Sequence, residues 1–406
     1  MKFLKDHKII ILLDQAIFSG TSFLTTILIA RIISLEEFGL FAGYVLGMHL
    51  VVSCLSAFII QPFQVFFTTV SNQKAYFSFI FWLQILTTIF LIGLTAIFAF
   101  IFKIHIALFF LPYAAGFIFQ DFGRKFLLAI NKPLINLMFD FVASLGLILS
   151  IFYFTFENQT DIFSLLKIMS LAYVLPFLLF LIVVKPFVFE KEVSIKSLNF
   201  HFKEGKWLFF TSITQWWSGN LFVVASGIYL GSAALGALRL AQSLMGILNV
   251  MLQTFENYIL PQTSQRINIC MQSSIDYVVD VTKKTGILFL IILFSTFIFS
   301  EQIFLLVGGI AYLPYAFILQ GMTFLYVLIF VSQPLRLIIR ALLLNQEFFY
   351  GYLFSLLFSL IFSKFLLENY GLKGVIIGLA ASQIILIIYW TIILQKKNIQ
   401  LWKSFM

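Results

Sequence analysis

The sequence predicts an all-α integral membrane protein of about twelve transmembrane helices, arranged as two six-helix lobes around a central cavity. Three observations predict it: an apolar composition, a regular series of membrane-length apolar runs, and an internal repeat. Of the 406 residues, 61% are hydrophobic and 11% charged, with mean hydropathy +1.04. Soluble domains are about 45–50% apolar and about 25% charged. A chain this poor in charge cannot solvate its own surface, so its main solvent is lipid. Phe carries much of the excess, with 53 copies. It fills lipid-facing and interhelical space without needing a hydrogen-bond partner.

A helix needs roughly 17–25 mostly apolar residues to cross a bilayer. Such runs fall at 9–31, 39–61, 77–101, 106–128, 134–156 and 162–184. A polar stretch follows, and the runs resume at 207–230, 235–258, 284–306, 312–334, 346–367 and 372–394. This divides the chain into an N-terminal lobe (1–184), a cytoplasmic connecting segment (185–206) and a C-terminal lobe (207–406). The first run follows Lys2, Lys5 and Lys8 but continues past signal-peptide length without an A-x-A-like site. It is expected to stay as the first helix. The segments 62–76 and 259–283 mix polar and apolar residues after Pro62 and Pro261, and read as amphipathic stretches on the cytoplasmic face.

Orientation follows from charge. With a cytoplasmic N-terminus and alternating spans, 20 of the 26 Lys and Arg fall on or near the cytoplasmic side. The other 6 are Arg31, Lys103, Lys167, Arg239, Lys364 and Lys373. Cytoplasmic enrichment of this kind sets membrane topology, and an odd number of spans would scramble it. Both termini are therefore expected in the cytoplasm. The net charge of +9 is explained the same way, and no basic run on a soluble module suggests nucleic-acid binding.

The two halves repeat. Ser19-Gly20 corresponds to Ser218-Gly219, Gly39 to Gly236, and Pro62 to Pro261, at offsets of 197–199 residues. Arg124 before Asn131 echoes Arg336 before Asn345. Transporters built from repeated bundles place substrate at the repeat interface.

The stretch Leu13-Asp14-Gln15-Ala16-Ile17-Phe18-Ser19-Gly20, then Ala30-Arg31 and Leu35-Glu36-Glu37-Phe38-Gly39-Leu40-Phe41, resembles the first helix and loop of polysaccharide-export flippases. These are the O-antigen type within the multidrug/oligosaccharidyl-lipid/polysaccharide exporter superfamily. Arg124 to Asp140 resembles that family's turn between the fourth and fifth helices. The resemblance implies twelve helices over the whole chain and an inward-to-outward cycle around a cationic cavity. It also implies a polyprenyl-diphosphate-linked oligosaccharide as cargo, a bacterial inner membrane, and a pathway to O-antigen or lipopolysaccharide.

No catalytic constellation is present: no H-E-x-x-H, Walker A or G-x-S-x-G motif, and no Cys/His cluster. No enzyme activity and no cofactor are expected, and ATP does not drive transport within this chain. Cys54 and Cys270 fall in unlike surroundings, which argues against a disulfide. Of four histidines, His49 alone sits well inside a span and reads as a hydrogen-bonded interior residue.

The candidate substrate-binding residues are ionisable or polar groups at membrane depth, where charge is costly. Asp14 and Gln15 face sugar hydroxyls or a coupling cation, H+ or Na+, or else mark a helix end at the interface. Arg31 and Arg239 suit a diphosphate, because guanidinium donates paired hydrogen bonds to phosphate oxygens; the alternative is snorkelling to the interface. Gln215, Trp216, Trp217 and Asn220 offer aromatic faces and amides to sugars, or form an interfacial belt. Trp216 lies about 15 Å along a helix from Lys206, near mid-membrane. Asp121 pairs with Arg124 or Lys125 on one helix face, and Asp140 pairs across to either.

These readings converge on a lipid-linked oligosaccharide flippase working by alternating access, with membrane lipid and polysaccharide-assembly proteins as further partners. A drug or cation antiporter of the same superfamily would want an acidic cavity. A membrane glycosyltransferase or polymerase would want a large outward loop, and the outward loops are short.

Overall fold

A computed structural model describes residues 7–68, 70, 72–157, 161–267 and 269–405. Lys2 and Lys5 of the charge count lie outside the described residues. Among the described residues every regular element is helical. The first half holds α1 (His7–Ile32), α2 (Leu35–Phe66), α3 (Gln73–Ile101), α4 (His105–Ala129), α5 (Pro133–Phe156) and α6 (Ile162–Val184). The second holds α7 (Lys191–Tyr229), α8 (Ser232–Leu244 then Gly246–Ile267, bent by 42°), α9 (Met271–Ile298) and α10 (Ala316–Ala341). It ends with Asn345–Lys396, which Gly371 (φ 56°, ψ −135°) breaks into α11 before it and α12 after it. Among the described residues these are twelve helices by length, since about 20 residues at 1.5 Å each span about 30 Å; nine unbroken helices, with Asn345–Lys396 counted once, are also apolar enough to cross a membrane.

Local chemistry sets the ends of these helices. Ser34 and Glu37 form a capping box at the start of α2: the Glu37 amide donates to Ser34 Oγ (3.2 Å), and the Ser34 amide donates to Glu37 Oε2 (3.2 Å). Asn72 caps α3 by accepting from the Ala75 amide (3.1 Å). Pro133 starts α5, where its missing N–H costs nothing. Gly371 takes a positive φ that side-chain-bearing residues avoid. Beyond it α12 returns so close to α11 that a Cβ on Gly374 would overlap the Leu366 carbonyl.

The chain divides into two compact units, one of Met1–Ile33 with Tyr44–Ile213, the other of Ser34–Gly43 with Thr214–Met406. Helices α2 and α7 are therefore each shared between the units.

In the first unit α1 packs along α5, and α4 contacts α3, α5 and α6. Phe180 is wholly buried, with its ring centroid 5.2–5.9 Å from those of Phe81, Phe119, Phe122 and Phe126. Small residues admit these rings, and a Cβ on Gly123 would stand 2.6 Å from Phe139. In the second unit α10 packs against α9 and the α11–α12 pair. Trp390 is buried there and stacks on Phe348 at 5.7 Å with rings 2° from parallel.

Outward faces are apolar. Phe90, Ile97 and Phe100 on α3 and Ile287, Ile291 and Phe294 on α9 are exposed. In water such surfaces would aggregate; in hydrocarbon they are the expected solvent-facing residues. The chain is a multi-pass membrane protein.

The stretches 62–76 and 259–283 are largely helical: most of their described residues are ends of α2, α3, α8 and α9. The polar stretch after Lys185 is also largely helical, because α7 begins at Lys191. Val193, Ser197, His201 and Gly205 recur every four residues on its buried face.

Candidate functional site

Two groups of polar side chains, one in each unit, include residues singled out by the sequence. In the first unit, Gln120 and Arg124 lie one turn apart on α4, and Asn136 and Asp140 one turn apart on α5. Both pairs face Asp14 and Gln15 of α1. The helical repeat puts residues four apart on one face, so three helices each contribute a polar pair. Arg124 Nε donates to Asp140 Oδ2 at 2.9 Å, and its Nη2 reaches Asp14 Oδ2 (3.4 Å) and Gln15 Oε1 (3.3 Å). The guanidinium carbon sits 3.7 Å from the centre of the Phe18 ring. Gln120 Nε2 donates to Asp140 Oδ1 (2.6 Å), and Asn136 Nδ2 donates to Asp14 Oδ2 (2.8 Å).

Asp14, Asn136 and Asp140 are at most 1% exposed. Two carboxylates share one guanidinium. Both amides commit their NH2 groups to carboxylates, which turns their carbonyls elsewhere. Asp14 Oδ1, Gln120 Oε1 and Asn136 Oδ1 consequently have no donor among the protein atoms. Buried acceptors left unsatisfied are costly. With both acids ionised the cluster carries a net negative charge. Its chemistry suits one added positive charge, a proton between the carboxylates or a small cation held by oxygens.

Asp14 is therefore buried within the first unit, against α4 and α5. Of the alternatives for the neighbouring charges, Lys125 takes Asp121 (2.6 Å) while Arg124 takes Asp140.

In the second unit Arg239 lines a cavity of about 390 Å³ with Asn220, Gln242, Asn249 and Tyr326 among its neighbours. Arg239 Nη1 donates to Gln242 Oε1 at 2.8 Å, and a guanidinium has four further N–H donors. Asn220 Nδ2 donates to the Trp216 carbonyl (2.8 Å), turning its own Oδ1 outward from the helix ladder. No carboxylate lines this cavity among the described residues. Trp216 and Trp217 are half-buried and edge-on, with centroids 5.1 Å apart, and Gln215 beside them is half-buried. Arg31 is exposed in the last turn of α1 and joins neither cluster.

Three features escaped the sequence reading. Glu256 of α8, 7% exposed, is the partner of both Arg336 (3.4 Å) and Arg340 of α10. Tyr326 and Asn249 join Arg239 in its cavity. His201 is fully buried, with Nδ1 2.9 Å from the Phe58 carbonyl and Nε2 2.9 Å from the Tyr76 hydroxyl. A carbonyl only accepts, so Nδ1 carries the proton and Nε2 accepts from Tyr76. Phe58 lies in a π-helical turn, Ser56–Ile60, a departure from the α-helical ladder. Burial holds His201 below the usual histidine pKa.

No protein-family model and no curated protein matches the sequence. Solved structures do. The lipid II flippase MurJ in an inward closed conformation matches at TM-score 0.73 and 14% identity, covering 98% of this chain and 90% of that one. An inward-facing multidrug resistance MATE family transporter of the MOP superfamily matches at 0.77 and 12%, covering 96% of each. A MOP superfamily transporter from Pyrococcus furiosus, described as having a binding pocket of reverse polarity, matches at 0.64 and 11%, covering 97% and 96%. The chain thus shares the fold of this flippase and of these MOP-superfamily transporters. These neighbours are described as a flippase and as transporters.

Proposed function

We propose that this protein is a flippase that carries a polyprenyl-diphosphate-linked oligosaccharide from the cytoplasmic to the outer leaflet of a bacterial inner membrane by alternating access. Both termini lie in the cytoplasm in this reading. One observation carries it: the Arg239 cavity presents a guanidinium, amides and a phenol, with no lining carboxylate among the described residues. Guanidinium donors match phosphate oxygens in pairs. Amides and the nearby Trp216 and Trp217 suit sugar hydroxyls and ring faces. At about 390 Å³ the cavity suits the diphosphate head of a cargo and not an entire glycan. The likeness to a lipid II flippase supports the cargo class without specifying the glycan. The acidic cluster of Asp14, Gln15, Arg124 and Asp140 supplies the coupling site for H+ or Na+.

A second reading, a cation-coupled drug antiporter, is favoured by that same cluster and by the likeness to MATE transporters. Removal of the protein separates the two. The flippase reading expects lipid-linked glycan to accumulate on the cytoplasmic leaflet while its synthesis continues. Unchanged glycan export with raised drug sensitivity would replace the flippase reading with the antiporter. Failure to make the lipid-linked unit at all would reject both.

A further inference from the structure

A cavity of about 510 Å³ lies in the first unit where the ends of α2 to α6 meet. Three lysines line it, and each comes from a different element. Lys74 is in the first turn of α3, Lys132 immediately precedes α5, and Lys185 immediately follows α6. Phe67, Phe77, Val183, Val184 and Val188 supply the apolar wall. No carboxylate lines the cavity among the described residues, nor does any ion pair there involve these lysines.

The wall is held in place. After α6 the chain turns at Lys185 (φ 49°) and runs extended along α3. Trp82 Nε1 donates to the Pro186 carbonyl (3.0 Å), and the Val188 amide donates to Ser78 Oγ (3.0 Å). Glu190, the nearest acid along this strap, accepts from Asn72 Nδ2 at 2.6 Å. Its carboxylate is thus hydrogen-bonded to an amide on the α3 side of the strap.

Membrane topology explains why lysines collect at this end of the helices. It does not explain why three converge on one apolar-walled concavity without a counter-charge, because like charges repel. A phosphate bearing an apolar stem resolves both halves of the site. Basic pockets between transmembrane helices on the cytoplasmic side bind anionic lipid head groups in this way.

We propose that this cavity binds the phosphate head group of an anionic phospholipid of the cytoplasmic leaflet. The three ammonium groups face the phosphate oxygens, and the Phe and Val side chains pack the glycerol and upper acyl segments. The site is separate from the Arg239 cavity and does not depend on what the protein transports.

The test is native mass spectrometry of the full-length protein in detergent with phosphatidylglycerol or phosphatidylcholine added. The wild type should retain phosphatidylglycerol preferentially. Lys74→Gln, Lys132→Gln and Lys185→Gln should each reduce that preference about fivefold, and the triple variant about a hundredfold. A control triple variant, Lys196→Gln with Lys203→Gln and Lys206→Gln, changes exposed lysines of α7 outside the cavity and should keep the preference. Equal retention of both lipids by the wild type would overturn the proposal. So would equal loss in the two triple variants, which would indicate diffuse charge attraction. Displacement of the lipid by millimolar inorganic phosphate would make the site a free-phosphate site and also overturn it.

Discussion

Gly39 and Gly236, the matching glycines of the internal repeat, lie back to back at the starts of α2 and α8. A Cβ on Gly236 would stand 3.1 Å from both the Cα and the amide nitrogen of Gly39. A Cβ on Gly39 would overlap the Ser232 carbonyl. Both residues belong to the second unit. The repeat therefore does more than duplicate a bundle: it places two backbones in direct contact, which only glycine on both sides permits.

Gly39→Val should lower stability by about 1–3 kcal/mol, as overpacking does, and lower the thermal unfolding midpoint in detergent. Gly47, on the same helix, has nothing within 4 Å of a built Cβ. Gly47→Ala should be neutral or raise stability by up to about 1 kcal/mol, the helix-propensity gain over glycine. Equal effects of the two substitutions would refute the contact.

Arg124→Met should be among the most destabilising substitutions in the first unit, because it leaves Asp14 and Asp140 buried without their cation. Breaking a buried pair from one side costs about 3–5 kcal/mol. Adding Asp140→Asn should recover part of the loss, which a double-mutant cycle of unfolding midpoints measures. Additive losses would show that the two side chains do not interact.

His201 gives a pH dependence. Its folded pKa is lowered by burial, so the unfolded chain binds the proton more readily. The stability it contributes is complete above the unfolded value of about 6.5 and declines as pH falls through that value. Protonation also forces the Tyr76 hydroxyl to stop donating to Nε2. Unfolding midpoints measured from pH 7.5 to 5 should fall for the wild type and flatten for His201→Gln. A slope that survives in the variant belongs to another group.

Arg239→Ala should abolish most glycan export at matched membrane levels, and Arg239→Lys should retain part of it, since Lys keeps the charge but loses the planar fork. Loss of a charged partner for a desolvated phosphate costs several kcal/mol, which is orders of magnitude in occupancy. A snorkelling arginine makes the opposite forecast. Wild-type export by the Ala variant would shift attention to Gln215, Trp216, Trp217 and Asn220.

The helices were legible because hydropathy reports burial in lipid directly. The break near Gly371 falls between the two last apolar runs, whereas the bend of α8 at Met245 lies inside a single run, 235–258, and was not legible. The first turns of α7 were not legible, because their buried face is Val193, Ser197, His201 and Gly205. That face is periodic but not apolar, so a hydropathy reading passes over it. The polar clusters were half legible. Asp14, Gln15, Asp140 and Arg239 stand out as costly in hydrocarbon, and the spacings of Gln120 with Arg124 and Asn136 with Asp140 offered a further signal. Their partners were not readable, because Asp14 and Arg124 are 110 residues apart and Glu256 and Arg340 are 84 apart. Helical spacing allowed Asp121 either Arg124 (i,i+3) or Lys125 (i,i+4), and only the third dimension assigned them.

The sharing of α2 and α7 between the units also constrains the order of assembly. The first unit cannot close until Ile213 has been made, past the midpoint of the chain. The bare backbone face at Gly39 must wait for Gly236, 197 residues later. At about 5–20 residues per second that wait is roughly 10–40 s, spent by a half-inserted helix in lipid without its partner. The nascent chain therefore passes through a long interval in which neither half is a finished folding unit. Cutting the gene in the linker after α6 would not yield two independent halves, because the ten residues Ser34–Gly43 would be left in the wrong one.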